Sequence, residues 1–171
     1  MSWIEEDLYR RLREVAAMPA VDLLPVLVAD DAARAGLILR DDAEGGEGWN
    51  LIGGGIRRGE SIAEAAERHV AETLGAGFRW RRREFERPDT VGEYFPERRV
   101  GYPHDVRKHS IALSYAILAE AEAAEPQGEA LDFRWFPLDA ELPSPIGFGQ
   151  EPVIRRLLPF ARELAGSARH A

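Results

Sequence analysis

The 171-residue sequence predicts an α+β fold: a mixed β-sheet packed between helices, as an α/β/α sandwich, in one domain spanning residues 1–171. Three observations lead there. Apolar runs of strand length, bounded by Gly, Pro and Asp, lie on both sides of one strongly signalled helix. Further helical patterns open and close the chain. Helices separated by runs of strands bury their apolar stripes against the two faces of a sheet.

Residues 2–18 read as a short amphipathic helix, because Ile4, Leu8, Leu12 and Val15 recur at helical spacing. Glu5, Glu6 and Asp7 sit in its first turn, where the helix dipole favours them, and Pro19 ends it. Val21–Ala29 and Gly36–Arg40 are apolar enough for two strands around a turn at Asp30-Asp31-Ala32. Asp41–Gly48 is a loop with three glycines, and Trp49–Ile52 is a strand leading into Gly53-Gly54-Gly55. Ser61–Leu74 is the clearest helix: Ser61-Ile62-Ala63-Glu64 is a capping box, and Gly75 supplies the stop. Phe78–Phe85 has strand character. Residues 88–108 form a 21-residue irregular stretch with three prolines and two glycines, a length that is usually functional or disordered. Ser110–Ala119 is an apolar strand, Ala121–Glu129 a polar turn region and Phe133–Pro137 a short strand. A C-terminal helix covers 151–165, with Pro159 inside it as a candidate kink.

The bulk properties exclude several classes. A net charge of −8 argues against a general nucleic-acid binder. No cysteine is present, so a bound metal must take oxygen or imidazole ligands. No apolar run approaches the length of a membrane span. The first residues lack the basic and apolar regions of a signal peptide, so a cytoplasmic protein is expected.

The chemistry concentrates on the helix that follows the glycines. On a helical wheel Ile62, Ala63, Ala66, Val70 and Leu74 share an apolar arc, and His69, Glu72 and Thr73 lie within roughly 100° of one another on the adjoining arc. Arg68 stands four residues before Glu72, within reach of it. The glycine loop runs back past the start of the helix, so its carbonyls can face Glu72. Carboxylates and carbonyls are the donors that Mg²⁺ takes together with water and substrate phosphate, so the arrangement suits a bridge between a metal and a diphosphate.

The register is Gly54, five residues, Glu60, seven residues, then Arg68-His69-Val70-Ala71-Glu72-Thr73-Leu74-Gly75-Ala76. It resembles the Nudix box, G-x5-E-x7-R-E-U-x-E-E-x-G-U with U a bulky apolar residue, and His69 and Thr73 replace two of its three clustered acids. Outside the box the chain is similar to the GDP-mannose mannosyl hydrolase branch of the Nudix family, over roughly Leu12–Leu142. Arg40 before Trp49, His109 before the strand at 110–119, and Asp132-Phe133-Arg134-Trp135 carry that similarity. The resemblance implies Mg²⁺, with Mn²⁺ as an alternative, held by the Gly54 carbonyl, Glu72 and Glu129. It implies Arg40 on the leaving diphosphate, Arg68 as support for the carboxylates, and a homodimer through the N-terminal segment. The branch has its catalytic base where this chain has Ala130, so His109 is taken as the candidate base.

The expected activity is Mg²⁺-dependent hydrolysis of a nucleoside diphosphate linked to another moiety, foremost a nucleotide sugar of the GDP-mannose type. Attack on phosphorus in a nucleotide sugar or dinucleotide is the second reading, and a non-catalytic nucleotide-binding module is the third. His69 is read as structural, with ligand or base as its alternatives, and His104 as ordinary surface. His170 is read as tail. Arg79, Arg81, Arg82, Arg83 and Arg87 form the one basic cluster, read as a solvated strand edge. Tyr94, Phe95 and Tyr102 either stack on a base or anchor the long loop.

Overall fold

The computed structural model describes residues 5–30, 32–82 and 84–169. Ser2 to Ile4 of the expected first helix, Asp31 of the first turn, Arg83 of the basic cluster and His170 lie outside the described residues. The elements run α1 (Glu6–Val15), β1 (Met18–Ala29), β2 (Ala32–Asp41), β3 (Glu47–Asn50), β4 (Ile52–Gly55), α2 (Ile62–Leu74), β5 (Trp80–Arg81), β6 (Thr90–Tyr94), β7 (Ser110–Ala119), β8 (Asp132–Pro137) and α3 (Glu151–Arg169). A short 3₁₀ turn at Gly147–Gly149 precedes α3.

The sheet is mixed. β1 pairs in parallel with β7 along its length, and antiparallel with β2 and β4 on its other edge. β3 and β8 join β2, and β5 and β6 join β7. Alternation along β1 sends Val21 and Leu23 to one face and Leu24 and Val26 to the other. The first face packs under α2 with Val70 and Leu74; the second packs under α3 with Ile154 and Leu157. This is the expected sheet between helices. Among the described residues no helix is long and apolar enough to cross a membrane.

The glycine run is not a free loop. Gly53 to Gly55 belong to β4 and pair with Asp22, Val21 and Ala20 of β1. The strand is broken from β3 at Leu51, whose N–H goes to the Gln150 side chain instead of a neighbouring strand. The 88–108 stretch contains β6, which sequence reading missed: its five residues carry Gly92 at the centre and offer little alternation. The expected strand over 78–85 shrinks to Trp80–Arg81. Arg82 explains the loss, because its guanidinium binds Asp89 and the carbonyls of Glu84, Arg87 and Ala116 and draws the backbone into turns. That network also removes Arg82 from any exposed basic strip. α3 continues through Pro159 to Arg169, four residues beyond the expected end.

On α2 the capping box forms as read: Glu64 N–H donates to Ser61 Oγ at 3.2 Å, and Ser61 N–H donates to Glu64 Oε2 at 2.8 Å. The buried arc differs from the wheel. Ala65, Ala66, Val70, Thr73 and Leu74 are buried, whereas Ala63 is only half-buried. Thr73 therefore faces inward and does not share an exposed arc with Glu72.

Candidate functional site

Arg68 organises the glycine-strand side of α2. Its Nε and Nη2 donate to the two oxygens of Glu60 at 2.6 and 2.9 Å, and Nη2 also reaches the Gly55 carbonyl at 2.9 Å. Glu60 accepts from Arg57 N–H as well, at 2.8 Å. These hydrogen bonds, Arg68's foremost, hold the Glu60 carboxyl down to about 2, so it stays ionised through ordinary pH. Arg68 Nη1 extends to Glu72 Oε2 at 3.2 Å, and Arg57 lies 3.5 Å from the other Glu72 oxygen. Glu72 is half exposed beside this network.

His69 occupies the place of the first clustered acid. Its Nε2 lies 3.1 Å from the Gly55 carbonyl and its Nδ1 3.5 Å from Arg68 Nη1. A carbonyl only accepts, so Nε2 carries the proton and Nδ1 is left as acceptor toward Arg68. Burial, then the Arg68 charge, pushes the imidazole pKa down and keeps it neutral. The ring also fills the space above Gly54, where an added Cβ would come within 2.6 Å of it. His69 thus braces β4 against α2, with both ring nitrogens engaged.

The 125–129 segment brings a second carboxylate to α2. Glu125 N–H donates to Leu74 O, Gln127 N–H to Thr73 O, and Gln127 Nε2 to Ala71 O, at 2.8–3.0 Å. These are terminal carbonyls that the helix cannot satisfy itself. Leu131 N–H then joins Leu39 O, which seats the segment beside β2. Glu129 pairs there with Arg40 at 2.7 Å. Burial raises the Glu129 pKa, the Arg40, Arg107 and Lys108 charges oppose the rise, and the Glu72 charge adds to it. The neighbouring Ala130 is buried in the core under α2.

Next to these groups a pocket is lined by Asp22, Arg40, Gly53, Gly54, Arg107, Lys108 and Phe148, among others. Asp22 was not among the residues singled out from the sequence, although it is the one acid inside the apolar run 21–29. It is 6% exposed and accepts from Tyr94 OH at 2.6 Å; Tyr94 OH in turn accepts from Gln150 Nε2 at 2.9 Å. Burial pushes the Asp22 carboxyl up to about 6. Arg107 and Lys108 lie in the long loop and carry no motif that would have distinguished them. Arg40 Nε is buried and has no hydrogen-bond partner.

The remaining expected residues fall elsewhere. His109 is not on the pocket wall; its ring stacks on Phe95 at 4.8 Å and its Nε2 lies 3.4 Å from Glu93. His104 is buried instead of on the surface, its Nδ1 3.1 Å from Phe95 O. Tyr94 and Phe95 are buried, and Tyr102 packs edge-on against Phe95, so these aromatics anchor the long loop.

The donor set suits a hard divalent cation. Mg²⁺ is commonly held by one or two carboxylates together with substrate phosphate and water. Glu72 and Glu129 provide two carboxylates from different elements, close enough for the charge of one to disfavour ionisation of the other. Among the described residues no three acidic or imidazole side chains gather as a complete metal cage.

Glycine strand, capped helix and mixed sheet together define the Nudix fold, and solved structures agree. The chain is similar, with a TM-score of 0.75 and 25% identity over 86% of this chain and 96% of the other, to a protein of Jonesia denitrificans described as a possible asymmetric diadenosine tetraphosphate hydrolase. It is similar to the Nudix domain of Shewanella oneidensis NrtR in complex with ADP ribose, with a TM-score of 0.62 and 21% identity over 94% and 98% of the two chains. A third match is the bifunctional NMN adenylyltransferase/ADP ribose pyrophosphatase of Francisella tularensis, complexed with AMP and a Mn ion. There the TM-score is 0.57 and the identity 20%, over 91% of this chain and 46% of that one. A family model described as a domain of unknown function, DUF4916, matches residues 1–161, and the chain belongs to that family. No curated protein matches it in sequence.

Proposed function

We propose that the chain hydrolyses a nucleoside diphosphate linked to another moiety, with Mg²⁺, or alternatively Mn²⁺, as its cation. The observation that carries this reading is the gathering of Arg40, Arg107 and Lys108 on a pocket that Gly53 and Gly54 also line, with Glu129 paired to Arg40 at 2.7 Å. The cations suit a diphosphate. Glu72, Glu129 and the Gly54 carbonyl are the groups that would hold the metal, which when bound neutralises charge on the phosphates. Arg40 contacts the diphosphate, and Arg68 keeps Glu72 beside β4.

Attack on phosphorus is the better supported chemistry. Attack on the sugar carbon needs a base beside the anomeric centre, and the position the GDP-mannose resemblance offers for it is Ala130, an apolar residue turned into the core. His109, the substitute, faces Glu93 and Phe95. The hydrolase and pyrophosphatase descriptions of two similar proteins favour the same bond class. The substrate set comprises nucleotide sugars, including GDP-mannose, ADP-ribose and dinucleoside polyphosphates. A homodimer through α1 is part of the proposal, supported by the exposure of Leu8 and Val15 on that helix.

A specific observation favours a binding module as the second reading: both Glu72 oxygens face arginines, and neither His69 nor the buried Thr73 adds a carboxylate. One experiment separates the two. The protein is incubated with Mg²⁺, ¹⁸O-water and GDP-mannose, UDP-glucose, ADP-ribose or diadenosine tetraphosphate. Two phosphorylated products, with phosphate-bound label in only one of them, support attack on phosphorus, and label in free sugar supports attack on carbon. Ligand binding with no product in any reaction supports the binding module.

A further inference from the structure

Phe148 combines features that its burial alone does not require. Its backbone has φ of +51°, a left-handed conformation in which a bulky residue is strained. The strain is held from both sides: Phe148 N–H donates to Asp42 Oδ2 at 2.8 Å, and its carbonyl accepts from His104 N–H at 2.8 Å. Two glycines flank it and let the chain turn sharply. The result places a 6%-exposed aromatic ring on the wall of the pocket.

Two guanidinium groups meet that ring. Arg40 lies 5.1 Å and Arg107 5.0 Å from its centroid, both within cation–π range. They come from distant parts of the chain, β2 and the long loop. Each is tethered at one side by a carboxylate: Arg40 by Glu129, and Arg107 by both oxygens of Asp105 at 2.8 and 2.9 Å. The ring offers both a favourable quadrupole in a partly desolvated place, where such contacts are strongest. A diphosphate carries charge on two neighbouring phosphoryl groups, so a pair of fixed guanidiniums suits it better than one mobile cation.

We propose that Phe148 is a positioning residue that holds Arg40 and Arg107 as a paired receptor for the ligand's diphosphate, which makes Arg107 a second anion contact. This rests on the diphosphate reading above. Phe148 acts through the arginines and touches no reacting atom.

The test measures ADP binding with Mg²⁺ by calorimetry for wild type, Arg107→Gln, Phe148→Leu, Phe148→Met and the Arg107→Gln/Phe148→Leu double variant, with thermal unfolding in parallel. Arg107→Gln and both Phe148 variants are expected to weaken ADP about tenfold each, the size of one lost charged contact. The double variant is expected to be weaker than Arg107→Gln but to fall short of the product of the two single losses, because the ring acts through Arg40 as well as through the missing Arg107. Phe148→Met keeps apolar volume without a ring face, so it separates lost packing from lost cation–π contact. Wild-type affinity in both Phe148 variants, whatever their melting temperature, would overturn the positioning role. Wild-type affinity in Arg107→Gln would overturn the second contact. Failure of the wild type itself to bind ADP would sink the diphosphate reading and this inference with it, an outcome distinct from the other two.

Discussion

Arg68 and Glu60, eight residues apart, meet as a two-pronged pair, with Nε–Oε1 at 2.6 Å and Nη2–Oε2 at 2.9 Å. Both are mostly buried, and the same guanidinium reaches Gly55 O and Glu72. The pair therefore ties the turn before α2, the glycine strand and the candidate metal carboxylate into one unit. Arg68→Lys keeps the charge but not the planar fork. It is expected to destabilise the fold by about 1–2 kcal/mol, because the cation stays while the second prong to Glu60 and the bond to Gly55 O are lost, and to lower turnover. Urea unfolding and ADP-ribose hydrolysis read the two effects.

Glu72→Gln separates function from fold. Glu72 is half exposed and its ion pairs are solvated, so the change is expected to alter stability by less than about 1 kcal/mol. Turnover of ADP-ribose is expected to fall by about a hundredfold or more, and the Mg²⁺ concentration needed for half activity to rise. A Mg²⁺ titration of activity beside a melting curve checks both. Unchanged Mg²⁺ dependence would remove Glu72 from the metal set.

The Nudix register was legible because it lives in short-range geometry: Gly54, Glu60, Arg68 and Glu72 are linked by one strand, one turn and one helix. The 61–74 helix and the 110–119 strand were legible for the same reason. The pocket was not. Asp22, Tyr94, Arg107 and Gln150 come from four separated segments, and their meeting depends on β1 lying in parallel beside β7 and on β6 inside what reads as a loop. His69 was readable as structural, but its two partners required the position of β4. Thr73 was misplaced because a helical wheel cannot know that the 125–129 segment packs over the end of α2.

Asp22 predicts an unusual pH dependence. Its carboxyl titrates near 6 in the folded protein and near 3.8 in the unfolded chain. Between those values the unfolded chain has released the proton that the folded protein retains. Stability from this group is therefore full below about 3.8, declines as pH rises to about 6, and is flat above, with a span on the order of 3 kcal/mol. Asp22→Asn keeps an acceptor for Tyr94 and removes the ionisation. It is expected to flatten that stretch of the profile and to be the more stable protein at pH 7. Denaturant unfolding from pH 4 to 7 measures it; parallel profiles for the two proteins would contradict the buried ionisation.

Gly128 offers a test of how Glu129 is placed. Its φ is +62°, and an added Cβ would lie 2.9 Å from Glu72 O, a backbone atom of α2 that cannot swing aside. Gly128→Ala therefore meets a conformational penalty of roughly 1–2 kcal/mol and a steric one as well. The segment relieves both only by lifting off the end of the helix, which loosens the hydrogen bonds of Glu125 and Gln127 and moves Glu129 away from Arg40. Stability is expected to fall by about 2 kcal/mol and ADP-ribose turnover by about tenfold, with the Arg68–Glu60 pair untouched. Gly77→Ala is the matched control: nothing lies within 4 Å of its added Cβ, and its φ is not in the left-handed range. That variant is expected to stay within about 0.5 kcal/mol of wild type with full activity. If Gly128→Ala behaves the same way, the 125–129 clamp does not set the position of Glu129.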